Sequence, residues 1–187
     1  MVFSSLFFIY IFFAVFIICY FSSRNMKLKN AVLIIFSLLF YAWGEPVYVL
    51  LLILSTLINY LCGLLIGRFR DTLLSKLTIA VSLIVNIGIL IVFKYSAFLV
   101  ENLNSWFSLR LTVPDISLPI GISFYTFQAM SYTIDCYWDT VKVQKNYFKF
   151  LMYVSLFPQL VAGPIVRYSD IEDELSVRKH TAADISA

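Results

Sequence analysis

Few side chains in this sequence could do chemistry. Among 187 residues there are one histidine, three cysteines and eleven carboxylates. The histidine, His180, sits in Arg178-Lys179-His180-Thr181. An imidazole can act as a general base, but one flanked by cations in a polar stretch reads as solvated and idle. Cys19, Cys62 and Cys136 lack the close ligand spacing of a zinc site. They read as apolar packing residues, and no metal is expected. There is no glycine-rich phosphate loop, and no serine lies in a Gly-x-Ser-x-Gly elbow. Gly63 and Gly67 have the Gly-x-x-x-Gly spacing that lets helices pack closely.

Two stretches stand out from packing. The first is Leu118-Pro119-Ile120-Gly121-Ile122-Ser123-Phe124-Tyr125-Thr126-Phe127-Gln128. It is an apolar run carrying Ser123, Tyr125, Thr126 and Gln128, and polar groups inside a membrane are costly unless partnered. They either bond neighbouring helices or line a water-filled path. The second is Phe157-Pro158-Gln159-Leu160-Val161-Ala162-Gly163-Pro164-Ile165-Val166-Arg167-Tyr168. Two prolines and a glycine interrupt an apolar run there. Unpaired backbone at membrane depth is tolerated only when buried in protein or lining a cavity. This stretch therefore predicts a cavity, a re-entrant turn or a pore wall, with a plain kink between packed helices as the alternative. Arg167 would face either an anionic ligand or Asp170.

The elements that must hold these residues are membrane helices. Hydrophobic residues make up 61% of the chain and charged residues only 13%, against roughly 25% charged in a soluble domain. That balance excludes disorder. Three unclustered cysteines exclude a secreted disulfide scaffold. A net charge of +3 with the basic residues at the edges of apolar runs is not a nucleic-acid face. The reading is an all-α, polytopic integral membrane protein, a single membrane domain over residues 1–187. At about 20 apolar residues per crossing, the length allows roughly six membrane segments, some of them broken or re-entrant.

The first span is Phe3 to Phe21, read as a retained helix because no cation precedes it and no cleavage pattern follows. A basic turn with Arg24, Lys27 and Lys29 leads to a short helix over 31–43. Gly44-Glu45-Pro46 then reverses the chain, with Tyr41, Trp43 and Tyr48 as interfacial anchors. A full helix follows over 47–66, then a basic turn with Arg68, Arg70 and Lys76, and a span over 77–93. Residues 96–110 carry Phe98, Leu99, Leu103, Trp106 and Phe107 at helical spacing, which predicts an amphipathic helix lying in the interface. A fifth span starts near Pro119, in the first helical turn, and runs to about Ile134; the last apolar run is 150–166. The positive-inside rule places the basic stretches 24–29, 68–76 and 142–149 in the cytoplasm, with the N-terminus outside, in a multi-pass protein of the cytoplasmic (inner) membrane.

The two polar stretches, with Met-Val-Phe-Ser-Ser at the start and Phe40-Tyr41-Ala42-Trp43-Gly44, give the whole chain a resemblance. It resembles the N-terminal part of the membrane-bound O-acyltransferase family and is most similar to the alginate O-acetyltransferase branch. The resemblance implies a ring of helices around a tunnel, of which this chain would supply part. It implies acetyl-CoA as a cytoplasmic acyl donor with no bound cofactor. It also implies a polysaccharide acceptor reached through an extracytoplasmic acetyltransferase partner. The family's histidine falls in a motif well downstream of the Gly-Pro-x-x-Arg segment, beyond residue 187, so no catalytic residue is carried over and the chain alone is expected to be inactive. Ser123, Tyr125, Gln128, Pro158, Gln159, Gly163, Pro164 and Arg167 are the candidates for the tunnel or substrate path. A small transporter or channel subunit and a non-catalytic membrane scaffold are the competing readings.

Overall fold

The computed structural model describes residues 5–114, 116–163, 166–175 and 178. Pro164 and His180 lie outside the described residues. Those described form helices and connecting loops, without strands. In chain order the helices are α1 (Phe8–Ser22), α2 (Met26–Gly44), α3 (Tyr48–Arg68), α4 (Leu73–Phe107), α5 (Ile122–Tyr137), α6 (Tyr147–Ser155), α7 (Phe157–Ala162) and α8 (Tyr168–Ile171). Helices α2, α3 and α4 are long and apolar enough to cross a membrane, and α1 is a shorter apolar helix.

The packing is inverted relative to a water-soluble bundle. On α3, Leu50, Leu54, Leu57, Leu61 and Leu65 form an exposed stripe, while Ser55, Thr56, Asn59, Cys62 and Gly63 are buried on the opposite side. On α4, Leu74, Leu77, Val81, Ile84 and Ile87 face outward, and Ser75, Thr78, Ser82 and Asn86 face inward. Water would impose the reverse order. Lipid tails satisfy leucine outside, and the polar residues bond to each other inside. The centre of that interior is a set of amides and hydroxyls. Asn59 Nδ2 donates to Asn86 Oδ1 (3.0 Å), and Asn86 Nδ2 donates back to Asn59 Oδ1 (2.9 Å). Ser82 Oγ from α4 and Thr133 Oγ1 from α5 donate to the same Asn59 oxygen at 3.1 and 3.0 Å. One side chain thus joins three helices.

Gly63 meets a neighbouring helix as its spacing predicts, whereas Gly67 abuts the loop that follows that helix. A Cβ on Gly63 would lie 2.8 Å from Tyr132 Cε1 of α5, and one on Gly67 would lie 2.5 Å from Val143 Cγ2. Tyr132 is fully buried, and its hydroxyl accepts from the Gln144 N–H (2.9 Å), so the ring has nowhere to retreat. Gly63→Val is therefore expected to cost about 2 kcal/mol, the usual penalty for overpacking a core. Gly88, whose Cβ would meet nothing within 4 Å, supplies the control: Gly88→Ala should leave stability unchanged or raise it slightly. Thermal unfolding of both variants in mild detergent checks the pair.

Several boundaries differ from the sequence reading, each for a local reason. The helix expected over 31–43 begins at Met26 and has 19 residues. Lys27, Lys29 and Asn30 join its first turns, where long side chains reach past the apolar boundary. Its length becomes about 28 Å, close to a hydrocarbon core. Pro119 is not in a helix: its carbonyl accepts from Ile122 N–H, Gly121 takes a left-handed conformation (φ 76°), and α5 starts at Ile122 and extends to Tyr137. The span over 77–93 and the amphipathic helix over 96–110 are not separate elements. They form the single helix α4, with a π-helical turn at Ile91–Tyr95, because nothing in 91–107 breaks a helix. Tyr41 is no interfacial anchor; it is only 3% exposed and packs edge-on against Tyr125. Trp43 is exposed, and Tyr48 donates its hydroxyl hydrogen to the Ser117 carbonyl (3.0 Å).

The basic stretches gather at one end. Arg70 pairs with Asp139, Gly67 abuts Val143, and Asn30 Nδ2 donates to the Leu175 carbonyl (3.3 Å). A cleft between α2 and α6 brings Lys27 and Asn30 beside Asn146 and Lys149.

Candidate functional site

The last apolar run is broken, as its prolines predict, and the break is one residue wide. Helix α6 ends at Ser155, Leu156 is extended (φ −56°, ψ 114°), and α7 starts at Phe157 with Pro158 in its first turn. In an unbroken helix the Phe157 N–H would donate to the Tyr153 carbonyl. Both groups of that lost bond are taken up by neighbouring helices. Ser37 Oγ of α2 accepts from the Phe157 N–H at 3.2 Å, and Gln128 Nε2 of α5 donates to the Tyr153 carbonyl at 3.0 Å. The same Gln128 nitrogen reaches Gln159 Oε1 at 3.4 Å. A buried backbone group without a partner costs as much as a lost hydrogen bond, so Ser37 and Gln128 are what make the break tolerable at this depth.

The break borders a hollow. Tyr153, Leu156, Gln159 and Met152 line a cavity of about 190 Å³ with Tyr20 and Leu33. Arg178 closes one wall, with Nη1 donating to the Tyr20 hydroxyl (3.3 Å) and Nε to the Glu174 carbonyl (3.0 Å). Past α7, Gly163 is extended, and Tyr153 donates its hydroxyl hydrogen to the Val166 carbonyl (2.9 Å), which ties the following segment back onto α6. Tyr168 packs edge-on against Tyr132 and Tyr153 and accepts from Gln144 Nε2 (2.7 Å). Burial pushes the Tyr168 hydroxyl up to about 12 although the Gln144 bond lowers it, so it stays protonated across the physiological range.

The break is also held from α5. Gly121 sits under α7, and a Cβ there would lie 2.7 Å from the Leu160 carbonyl oxygen. Its left-handed backbone costs a non-glycine residue roughly 1–2 kcal/mol, and the close carbonyl adds to that. Gly121→Ala is expected to lower the unfolding midpoint in detergent and to increase proteolysis around residues 156–163. An unchanged cleavage pattern would count against this contact.

The sequence candidates fall into separate groups. Gln128 and Gln159 meet at the break, and Pro158 shapes it from an exposed position. Tyr125 is fully buried and packs edge-on against Tyr41, away from the break. Ser123 faces α4, where Lys94 Nζ reaches its hydroxyl at 3.4 Å. Arg167 is exposed, makes no ion pair with Asp170, and lines a different cleft with Asp135. The sequence reading missed Ser37 and the Asn59–Asn86–Thr133 cluster. An asparagine near the middle of each of two consecutive apolar spans was the available signal. Among the described residues no group of three histidine, cysteine or acidic side chains could hold a metal ion.

The sequence is similar to proteins named as an O-acetylase and as an O-acetyltransferase. The chain is 38% identical over 186 residues to "Probable alginate O-acetylase AlgI" of Pseudomonas aeruginosa, covering 97% of this chain and 36% of the relative. It is 36% identical, with the same coverage, to the protein of that name in Pseudomonas syringae pv. tomato. The similarity to these O-acetylases extends over nearly the whole of this chain. A "Peptidoglycan O-acetyltransferase" of Helicobacter pylori is 28% identical over 173 residues, 80% of this chain and 33% of that protein. The chain thus spans about a third of the length of the curated relatives it matches. No family model matches it, and no solved structure matches it. The resemblance drawn from the two polar stretches is borne out at the level of the alginate O-acetylases.

Proposed function

We propose that this chain is the N-terminal third of a membrane O-acetyltransferase that moves acetyl groups from cytoplasmic acetyl-CoA towards an extracytoplasmic polysaccharide. The similarity to alginate O-acetylases over 97% of the chain carries the reading. The helix break beside a cavity supports it, because non-helical backbone within a membrane is tolerated only where protein or a cavity shields it from lipid. In this reading Gln159 faces the acyl path with Gln128 holding it from behind, and the remainder of the protein supplies the general base and the groups that stabilise the charged tetrahedral intermediate. The acceptor is an alginate-like exopolysaccharide or a wall polymer, reached through an extracytoplasmic partner.

The test uses inverted inner-membrane vesicles and acetyl-CoA labelled in the acetyl group. The longer protein should transfer label to carbohydrate on the luminal side, and the chain of 187 residues should not. Failure of the longer protein to transfer label would end the reading. The proposed orientation, with the N-terminus outside and the basic end in the cytoplasm, is tested by single-cysteine labelling in a background lacking Cys19, Cys62 and Cys136. Labelling of 24–29 from outside intact cells would reverse it.

A further inference from the structure

The cleft that holds Arg167 lies at a definite depth. Tyr132 is level with Gly63 and Val143 with Gly67, near the Arg68 end of the α3 span. Arg70, just past that end, pairs with Asp139. The cleft, about 330 Å³, is lined by Ser131, Asp135, Trp138, Thr140, Arg167 and Ser169, so it opens at the membrane boundary on the basic side. Trp138 is 69% exposed there, and an exposed indole at that level belongs among lipid headgroups.

The hydrogen-bonding character of the cleft is lopsided. Ser131 Oγ donates to the Gln128 carbonyl (2.8 Å), Thr140 Oγ1 to the Asp135 carbonyl (3.0 Å) and Ser169 Oγ to Asp170 Oδ1 (2.9 Å). Each hydroxyl has spent its only hydrogen and offers the cleft lone pairs alone. The Asp135 carboxylate adds acceptors. The guanidinium of Arg167 has no hydrogen bond or ion pair among the described residues, although a carboxylate lines the same cleft. A complementary ligand must bring N–H donors on a cation to the Asp135 side and an anion to Arg167. We propose that the cleft seats the headgroup of phosphatidylethanolamine, with its ammonium at Asp135, Ser131 and Thr140 and its phosphate on Arg167. The charges are complementary, the lipid is held at this depth by the bilayer itself, and Trp138 packs along the glycerol region. Phosphatidylcholine carries the same charges but no N–H, so it fails at the acceptor side.

The test needs no substitution at first. The longer protein is reconstituted in phosphatidylcholine nanodiscs holding a minor fraction of phosphatidylethanolamine, or of its N-methyl and N,N-dimethyl derivatives. Lipid retained after transfer to mild detergent is then counted by native mass spectrometry. Retention should fall stepwise with each methyl group, to about tenfold less for phosphatidylcholine, the loss expected for a charge-assisted hydrogen bond. Asp135→Asn should remove the preference for phosphatidylethanolamine while leaving phosphatidylglycerol retained. Arg167→Gln should weaken retention of every phospholipid. Soluble glycerophosphoethanolamine should compete only weakly. Equal retention across the methyl series overturns the proposal, and so does a preference that survives both substitutions. Displacement of the lipid by coenzyme A at lower concentration than by glycerophosphoethanolamine also overturns it, and marks the cleft as a nucleotide site.

Discussion

Replacing Asn59 by leucine is expected to lower stability by about 3 kcal/mol, the sum of two buried polar groups left without partners at roughly 1–2 kcal/mol each. The branched shape and heavy-atom count of the side chain are kept, so the loss is chiefly one of hydrogen bonding. Asn59 Oδ1 accepts from Asn86, Ser82 and Thr133. Thr133 retains a bond to the Ala129 carbonyl and Asn86 Nδ2 one to the Ser82 carbonyl. Ser82 Oγ loses its acceptor, and Asn86 Oδ1 loses the Asn59 amide. The double variant Asn59→Leu, Asn86→Leu removes both amides and should recover part of the loss, since replacing both partners by apolar groups is far cheaper than orphaning one. Unfolding in graded detergent mixtures gives all three values. A single variant within about 0.5 kcal/mol of the parent, as many membrane hydrogen bonds show, would mean that the cluster is dispensable.

Gln128→Leu is expected to reduce acetyl transfer by the longer enzyme about 100-fold, the loss that a displacement near 1 Å can cause at a reacting centre. The substitution leaves the Tyr153 carbonyl unpaired in a buried position and removes the contact to Gln159. One of the two side chains that pair the backbone groups freed at the break is then missing, and Gln159 loses its orientation at the cavity. Ser37→Ala, which removes the acceptor for the Phe157 N–H, should act in the same direction more weakly. Acetyl ester content of the polysaccharide measures the activity. Amide exchange should quicken at residues 156–160 in both variants and stay unchanged in α3 and α4. Full activity in Gln128→Leu would show that the break is held by something else.

Much of this arrangement could be read in the sequence, and the exceptions share a cause. Pro158 and Gly163 foretold the break because both residues act on their own backbone. Gly63 and Gly67 foretold a close approach for the same reason. Ser37 could not be found that way: it lies 120 residues from the N–H it accepts, and a serine in an apolar helix gives no hint of its partner. Tyr41 was misjudged because aromatic residues near a turn are anchors or core according to which way one helix is rotated, which only packing decides. Ser123 and Gln128 stand five residues apart, so they point to different sides of α5, one to Lys94 and one to the break.

The reciprocal amides between α3 and α4 also bear on how the chain enters a bilayer. Asparagine near the middle of an apolar helix resists partition into lipid when alone, and each of these two helices carries one. Only residues 69–72 separate α3 from α4, so the two amides can meet as soon as the second helix has left the ribosome. The expected unit of insertion is a helical hairpin that shelters its own polar pair before Thr133 is synthesised. Biogenesis should stall at the first half of that hairpin if the second is withheld.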